Sequence, residues 1–312
     1  MLYYREGLTQ GQVAQRMGVS RATIANYLRM ARDLGVVDIR ILGESFAASS
    51  EARSLADRFA LADAYVAFSD ADAGPGGMPE GAMRDRLASL AASAMHDLLE
   101  PGDRLGVAWG DTIQRVSQKF PVGAIDGLTV YQLVGSMQSD QLVAAEGSTI
   151  EIARRTSAAC RTLHTPAIVS SHALAEALRR EPIIARQIAD FAGLTKVLYS
   201  VGHLGSDNAH VVAAGIATPA QMDAYRARGA AGVICGHFID ATGAPMPGEL
   251  RERMLGATPE ELRRVPLRML VAGGSDKRTA TLAALRGGYA THLATDQAMA
   301  EWLLAQGGGV AG

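Results

Sequence analysis

The chain has 312 residues, of which 48% are hydrophobic and 20% are charged, so it is long enough for two domains and too apolar to be intrinsically disordered. Its two cysteines, Cys160 and Cys235, exclude a disulfide framework and are typical of a reducing cytoplasm. Its first residues lack the pattern of a signal peptide, and no apolar run reaches the ~18–20 residues of a membrane span. We therefore expect a cytoplasmic protein with no membrane partner.

The net charge of −2 is unevenly distributed along the chain. Residues 1–42 contain six arginines and three acidic residues, a balance of +3, whereas the remaining residues contain 24 basic and 29 acidic groups, a balance of −5. A small basic head on an acidic body suits a protein that contacts the phosphate backbone of DNA with one end. A chance fluctuation over so short a segment would give the same bias.

Two short helices separated by a glycine are predicted at the start of the chain. The first covers 9–17 and the second covers 21–32, with Gly18 at the turn because glycine adopts the left-handed conformation without strain. Ser20 is a favourable N-cap for the second helix. The residues expected on the buried faces are Val13, Ala14, Met17, Ile24, Leu28 and Ala31. The pattern predicts a helix-turn-helix.

The exposed side of the second helix carries groups that can contact bases and phosphates in a major groove. The expected DNA-binding residues are Ser20, Arg21, Thr23, Asn26 and Arg29. The alternative is an ordinary helical hairpin with a solvated face. The alternating run 36–41 indicates a strand, consistent with a winged variant. Only a few residues precede Thr9, so the first helix of a trihelical unit is expected to be incomplete.

Helices alternate with short apolar strands after a small, polar segment at 43–50. The predicted strands are 64–68, 105–108, 129–133, 167–169, 197–200, 232–234 and 267–271, and the clearest helices are 81–99, 113–120, 182–190 and 279–286. This alternation is typical of an α/β domain with a mainly parallel sheet flanked by helices. The predicted organisation is a small helical domain at 1–42, a linker at 43–50 and a large α/β domain at 51–312.

Two glycine-rich turns follow predicted strands and lead into helices, at 106–112 (GVAWGDT) and at 271–277 (VAGGSDK). Backbone N–H groups and the positive end of a helix dipole form an anion site at such a turn. Thr112 adds a hydroxyl donor, and Lys277 adds a positive charge suited to phosphate. A third turn, 202–207, is weaker. Each turn alone fits a tight strand–helix connection equally well, but the two stronger turns together indicate a phosphorylated ligand.

Four segments resemble the SorC/DeoR family of sugar-responsive bacterial regulators, and the resemblance extends over almost the whole chain. They are GLTQGQVAQRMGVSRATIANYL at 7–28, GVAWGDT at 106–112, CGHFIDATG at 235–243 and GGSDKRTATLAALRGGYATHLATDQAMAEWLL at 273–304. The resemblance implies a winged helix-turn-helix joined to an effector-binding and oligomerisation domain similar to the folds of sugar-phosphate isomerases and deaminases. It also implies homo-oligomers, dimers or typically tetramers, that bind operator DNA, respond to a phosphorylated sugar or polyol and control carbohydrate catabolism genes.

The resemblance further implies an effector pocket. It assigns Gly110, Asp111 and Thr112 to one wall, Gly273, Gly274 and Lys277 to the phosphate, and Asp240 to sugar hydroxyls. The chain departs from many family members after the third strand, where it has LVGSMQ at 133–138 instead of a paired glycine. We therefore add Gly135, Ser136 and Gln138 as effector-binding candidates; the alternative to binding of ligand hydroxyls by Ser136 and Gln138 is a pocket that is narrowed there.

An enzyme is the alternative, because the implied fold also carries isomerases and deaminases. The candidate carboxylate bases are Asp111, Asp207 and Asp240, although an aspartate at a turn is more often a cap. The chain lacks a Gly-x-Ser-x-Gly nucleophile turn and a His-Glu-x-x-His zinc motif, and its seven histidines are dispersed. We therefore predict a regulator with no catalytic residues, cofactor or metal, in which His203 and His237 form hydrogen bonds in ligand-binding loops.

Overall fold

The computed structural model describes residues 10–21, 23, 24, 26–28, 50–69, 78–137, 145–205 and 209–306. The chain forms two compact units, Met1–Leu42 and Gly43–Gly312. The first unit contains the helix-turn-helix, and the second contains the sheets.

Two helical segments pack through a small apolar cluster in the first unit. Helix α1 spans Gln10–Met17, and the described residues between 21 and 28 are also helical. Gly18 turns the chain between them with a φ of +68°, a conformation that glycine adopts without strain. The buried residues of the cluster are Val13, Ala14 and Ile24. These contacts confirm the predicted helix-turn-helix.

Ser20 caps the second helical segment, as predicted, because its Oγ accepts a hydrogen bond from the Thr23 N–H at 3.0 Å. The prediction that Met17 is buried is wrong, since 51% of its surface is exposed. Val19, beyond the glycine, packs against the cluster instead. Arg29, Ala31, the predicted strand at 36–41 and the segment before Thr9 lie outside the described residues.

A seven-stranded parallel sheet forms the centre of the second unit within the described residues, in the order β1-β10-β9-β5-β2-β3-β4. Its strands are β1 Asp63–Ala67, β2 Arg104–Val107, β3 Thr129–Gln132, β4 Ala159–Arg161, β5 Lys196–Tyr199, β9 Leu267–Val271 and β10 His292–Asp296. A smaller antiparallel sheet has the order β6-β7-β8, with β6 Val201–Gly202, β7 Ala230–Ile234 and β8 His237–Asp240.

Helices connect the parallel strands. Their bounds are α2 Ser50–Phe59, α3 Glu80–Asp97, α4 Asp111–Lys119, α5 Ala145–Arg155, α6 His172–Arg180, α7 Pro182–Ala189, α8 Ala209–Ala213, α9 Pro219–Ala227, α10 Glu249–Arg253, α11 Pro259–Arg264, α12 Arg278–Arg286 and α13 Gln297–Ala305. Short 3-10 helices occupy Asp190–Gly193 and Ser275–Lys277. In the part of the chain that the structure describes, no helix has the length and apolar character needed to cross a bilayer.

Apolar side chains cover both faces of the parallel sheet. Alternate residues of a strand point to opposite faces, and in β5 Val197 and Tyr199 belong to one apolar cluster while Leu198 belongs to the other. Helices α2, α12 and α13 contribute to the first cluster, and α3 and α4 contribute to the second. The sheet is therefore buried between two helical layers, which confirms the predicted α/β class.

Two strand predictions need correction. The segment 167–169 forms no strand, because Ile168 makes only an isolated bridge to Met254, and the edge strand of the sheet is β4. The segment 232–234 is a strand, but it belongs to the antiparallel hairpin of the small sheet. Strand β10, which was not predicted, lies between β1 and β9.

Candidate ligand-binding cleft

A cleft of about 320 Å³ opens at the carboxyl ends of four adjacent strands, β2, β5, β9 and β10. From β2 the chain proceeds through β3 to β4 and then returns to β5 on the other side of β2. The loops after β2 and β5 diverge at this reversal and leave a crevice between them. In open α/β sheets this is the position at which ligands bind.

The turn after β2 places a helix amino terminus at the cleft. Gly110 precedes α4 with a φ of +115°, and no side chain caps this helix. The N–H groups of its first turn and the helix dipole therefore attract an anion. Asp111 accepts a hydrogen bond from Nε of Arg115 at 3.0 Å, and Nη1 of Arg115 also donates to Asp85 at 2.8 Å. Because Asp111 is paired in this way, it offsets the positive end of α4 only weakly.

Lys277 extends into the cleft from the turn after β9. Its Nζ donates hydrogen bonds to Oγ1 of Thr112 at 2.8 Å and to Oγ of Ser200 at 3.2 Å. Burial lowers the pKa of Lys277 from 10.5 to about 8, while Asp276 and Asp111 partly oppose that effect. The loops after β2, β5 and β9 thus meet at one amine. Among the described contacts, this amine donates hydrogen bonds to hydroxyls and not to a carboxylate. An anionic ligand would therefore place a negative charge at hydrogen-bond distance from it.

Two glycines shape the turn after β9. A Cβ on Gly273 would lie 2.5 Å from Oδ2 of Asp296 and 2.7 Å from Cδ2 of Leu87, so a larger residue does not fit. Gly274 has a φ of +89°, and its N–H donates to Oδ2 of Asp296 at 2.7 Å. The other carboxylate oxygen of Asp296 accepts from the Met299 N–H at 2.8 Å, at the start of α13. Asp296 therefore fixes the glycine turn relative to that helix.

A histidine and a hairpin tip also line the cleft. Nδ1 of His203 accepts from the Gly205 N–H at 3.1 Å, so Nε2 carries the proton of the neutral ring, and Nε2 lies 3.4 Å from Oδ2 of Asp276. Cys235 and Gly236 form the two-residue turn between β7 and β8, with φ values of +47° and +83° that are typical of a type I′ hairpin. Burial raises the pKa of the Cys235 thiol to about 12, so the thiol stays protonated and is a poor nucleophile.

The other residues that line the cleft are both apolar and charged. The apolar residues are Met83, Leu87, Trp109, Val211 and Val233. Glu80 and Arg84, which form an ion pair on the first turns of α3, contribute charge. Small-molecule sites commonly combine an apolar surface with a few convergent polar groups. This cleft has that composition and suits a ligand with both C–H surface and anionic or hydroxyl groups.

Six of the predicted effector residues line this one cleft. They are Gly110, Asp111, Thr112, Gly273, Gly274 and Lys277. Gly135, Ser136 and Asp240 do not line it. Gln138 lies outside the described residues. His203 lines the cleft, whereas His237 is buried elsewhere and burial lowers its pKa to about 4.

The physical reasons for the misplaced residues are local. Oδ1 of Asp240 accepts three hydrogen bonds from its own turn: from the N–H of Thr242 at 2.9 Å, from Oγ1 of Thr242 at 2.6 Å and from the N–H of Ala244 at 2.9 Å. These hydrogen bonds, led by the one from the Thr242 hydroxyl, lower the pKa of Asp240. A Cβ on Gly135 would lie 2.5 Å from the carbonyl oxygens of Thr165 and Pro166, so this glycine permits close backbone packing. Asp240 therefore lies outside this cleft, and its assignment to sugar hydroxyls stays a prediction.

Among the cleft residues that the sequence-based prediction missed, Ser200 and Asp296 make contacts with Lys277 and with the glycine turn. Ser200 directly follows β5, and this position after an apolar strand was a usable signal. Asp296 ends β10, whose strand character was not recognised. Among the described residues, no group of three or more His, Cys, Asp or Glu side chains could hold a metal ion.

The predicted DNA-binding residues of the first unit lie at the start of its second helical segment. Ser20, Arg21 and Asn26 are exposed, and Thr23 is half-buried. The hydroxyls of Ser20 and Thr23 lie 2.8 Å apart, so the Ser20 side chain forms hydrogen bonds within the start of this helical segment.

Known proteins resemble both units. The family described as "Putative sugar-binding domain" matches residues 45–305, and the ParB helix-turn-helix domain matches residues 1–57. The transcriptional regulator YjhU of Escherichia coli K12 is 37% identical over 304 residues, covering 97% of this chain and 92% of YjhU. The crystal structure of the full-length sorbitol operon regulator SorC from Klebsiella pneumoniae superimposes with a TM-score of 0.75 at 25% identity, covering 97% of this chain and 96% of that one. The chain belongs to the SorC/DeoR family of sugar-binding transcriptional regulators.

Membership of this family decides between regulator and enzyme. The deoxyribonucleoside regulator of Bacillus subtilis is a further relative, 28% identical and covering 97% of this chain and 95% of that protein. These relatives match over nearly their whole length and are regulators rather than enzymes. The protein is therefore a sugar-binding transcriptional regulator with a helix-turn-helix, as the sequence predicted.

Proposed function

We propose that this SorC/DeoR-family protein binds operator DNA through its helix-turn-helix and that a phosphorylated sugar or polyol in the cleft changes its affinity for that DNA. The observation that carries the proposal is the position of Lys277, whose amine bridges the loops after three strands through Thr112 and Ser200. The protein would act as a homo-oligomer, a dimer or a tetramer, so that paired recognition helices read paired half-sites.

The charges around Lys277 favour a phosphate over a neutral sugar. The amine stands near the uncapped amino terminus of α4, and two hydroxyl side chains are within hydrogen-bond distance of it. A phosphate accepts hydrogen bonds from all of these groups and restores the full positive charge of a lysine whose pKa burial has lowered to about 8. A neutral sugar would accept the same hydrogen bonds without compensating the charge.

The other lining residues favour a carbohydrate skeleton attached to that phosphate. Trp109 and Met83 offer apolar surface, while His203 and Glu80 offer polar groups to hydroxyls. Relatives named as a sorbitol operon regulator and a deoxyribonucleoside regulator support a polyol or sugar as the class of effector. The effector domain would thus recognise phosphate at Lys277 and carbon skeleton along the remainder of the cleft.

A melting-temperature screen tests the effector assignment. Ribose 5-phosphate, 2-deoxyribose 5-phosphate and sorbitol 6-phosphate are compared with their unphosphorylated parents, because a ligand that binds the native state raises the melting temperature by mass action. We expect a phosphorylated compound to raise it and the parent to have little effect. Lys277→Met should weaken this response. Its matched control is Lys119→Met, which removes an exposed lysine from the far end of α4. Equal shifts with phosphorylated and parent compounds would refute the phosphate assignment.

A separate DNA-binding measurement tests the proposed role of the helix-turn-helix unit, called the head below (Met1–Leu42). Arg21→Ala and Asn26→Ala should each weaken binding to a DNA fragment that the wild-type protein selects from a random library. The expected cost is about 1–3 kcal/mol for each base that the variant no longer recognises. Arg180→Ala, which removes a highly exposed arginine from α6, is the control for removal of a charge elsewhere. Retention of tight, sequence-selective binding by both head variants would contradict their place in the groove.

A further inference from the structure

Asp296 joins the ligand-binding turn to the last described helix. It is the final residue of β10, and only 6% of its surface is exposed. Its two carboxylate oxygens accept from two different elements: Oδ2 from the Gly274 N–H at 2.7 Å and Oδ1 from the Met299 N–H at 2.8 Å. One buried side chain therefore connects the glycine turn directly to the amino terminus of α13.

The residue that follows this turn, Arg278 at the start of α12, contacts α13 at a second point. Arg278 directly follows Lys277, and its guanidinium lies over the ring of Trp302 at 5.7 Å from the ring centre. Trp302 belongs to the middle of α13, one turn beyond Met299. The turn therefore reaches the start of α13 through Asp296, and the first residue of α12, which directly follows the turn, contacts the middle of α13.

Helix α13 in turn packs on α2. Leu303 of α13 shares an apolar cluster with Leu55 and Phe59 of α2, and all three are buried. Nη1 of Arg58 also donates to the Leu304 carbonyl at 3.1 Å. Helix α2 begins at Ser50 and is the first described element after the head in the chain. Each step from the cleft to the chain segment that leads into the head is thus a direct contact.

We propose that Asp296 is the positioning residue that couples occupancy of the cleft to α2 and so to the DNA-binding head. The proposal rests on the function proposed above, since it requires an effector in the cleft and DNA at the head. A phosphate that binds at Lys277 and the glycine turn favours one position of that turn. Asp296 and the Arg278–Trp302 contact make α13 and α2 follow it, and the effector acts on DNA only through this difference between the two positions.

The alternative is that Asp296 is only a helix cap. Asp296→Asn distinguishes the two roles, because asparagine is as good an N-cap as aspartate and can keep its oxygen on the Met299 N–H. Its amide NH₂ would then face the Gly274 N–H, and two donors cannot bond to each other. The variant therefore keeps the cap and breaks the link to the turn. Thr295→Val is the matched control, since it removes the neighbouring hydrogen bond from Oγ1 to the Ala272 carbonyl and leaves the link intact.

The experiment measures DNA affinity of the full-length protein with and without ligand. The ligand is whichever of ribose 5-phosphate, 2-deoxyribose 5-phosphate and sorbitol 6-phosphate most raises the wild-type melting temperature, at a concentration that a melting titration shows to be saturating for each variant. In the wild type and in Thr295→Val we expect the ligand to change DNA affinity by about 5- to 150-fold, the usual range for allosteric coupling. In Asp296→Asn we expect the change to fall below about twofold.

A second variant tests the far end of the same path. Arg58→Met removes the hydrogen bond to α13 without touching the cleft, so it should reduce the ligand-induced change in DNA affinity and leave the melting titration unaltered. If Asp296→Asn responds to ligand as strongly as the wild type, the coupling role of Asp296 is refuted while the effector assignment stands. If no ligand shifts the wild-type melting temperature, the proposed function itself fails.

Discussion

Replacing Lys277 with methionine should make the free protein more stable while weakening its response to a phosphorylated ligand. Burial lowers the pKa of Lys277 from 10.5 to about 8, which corresponds to a penalty of about 3 kcal/mol on the charged form. Since the folded pKa lies below the unfolded one, this penalty is fully present below pH 8 and disappears as the pH rises toward 10.5. Methionine removes the penalty but also removes the hydrogen bonds to Thr112 and Ser200, about 1 kcal/mol each. The net gain near pH 7 is about 1 kcal/mol.

Ligand should reverse this order of stabilities. A ligand present at about 100 times its Kd stabilises the wild-type fold by about 2.7 kcal/mol. Removal of a charge-assisted hydrogen bond, about 1.5–3 kcal/mol, weakens binding by about 10- to 150-fold, so the same concentration stabilises the Lys277→Met variant by only about 0.3–1.4 kcal/mol. The variant should therefore have a higher melting temperature than the wild type without ligand and a lower one with ligand.

Thermal unfolding followed by circular dichroism, with and without ligand, measures both effects on the same samples. Lys119→Met should behave as the wild type in both conditions. Wild-type ligand affinity should also decline as the pH rises above 8, since the phosphate binds the protonated amine and raises its pKa. The reasoning would be refuted if Lys277→Met had a lower melting temperature than the wild type without ligand and kept the full ligand-induced rise in melting temperature.

Three other substitutions test separate parts of the molecule. Gly273→Ala should cost about 1–3 kcal/mol and weaken ligand binding, because its Cβ overlaps Asp296. Gly147→Ala, at an exposed position of α5 with open space around it, should be neutral or stabilising in the same unfolding assay. Burial alone would raise the pKa of Asp103, but hydrogen bonds led by the one from Lys196 lower it below 3.8 in the folded protein. The carboxylate therefore stabilises the fold above pH 3.8, and this stabilisation is lost as the pH falls through the folded pKa. Asp103→Asn should therefore lose about 3–5 kcal/mol at pH 7, because Lys196 remains buried without its partner, and its melting temperature should fall less steeply in acid than that of the wild type. Ser20→Ala should weaken DNA binding by loss of a cap worth about 0.5–2 kcal/mol, and Ser20→Asn should restore it; equal binding by all three proteins would exclude a role for the cap.

The parallel strands and glycine turns could be predicted because each has a local signal. An apolar run followed by glycine and a polar residue indicates the carboxyl end of a buried strand, and this signal occurs at Gly110 and at Gly273. In a parallel sheet such ends lie on one edge, so the fold class predicts that Thr112 and Lys277 lie on the same side, and the strand order β9-β5-β2 brings them into contact. The helix-turn-helix was predictable for the same reason, since its cap and its turn glycine are neighbours in sequence.

The remaining features depend on partners that are distant in sequence. Strand β10 reads HLATD and resembles the start of the helix after it, yet all five residues are buried because β1 and β9 flank it. The role of Asp296 was hidden with that strand, since its bond to Gly274 spans 22 residues. Asp240 is the opposite case: it occurs in a segment that resembles the family, but the N–H groups of Thr242 and Ala244 donate to its Oδ1 within its own turn, and it does not line the cleft.

The place of β10 in the sheet has a consequence for how the protein is made. Among the described strands β10 is the last in the chain, β1 pairs with the sheet only through it, and its final residue holds the turn that carries Lys277. Domains generally fold as units during synthesis, amino-terminal units first, so the head can fold long before the cleft is complete. We therefore expect a newly synthesised chain to pass through an interval in which the helix-turn-helix is folded and the cleft has not yet formed. The length of that interval depends on when one five-residue strand, β10, is synthesised.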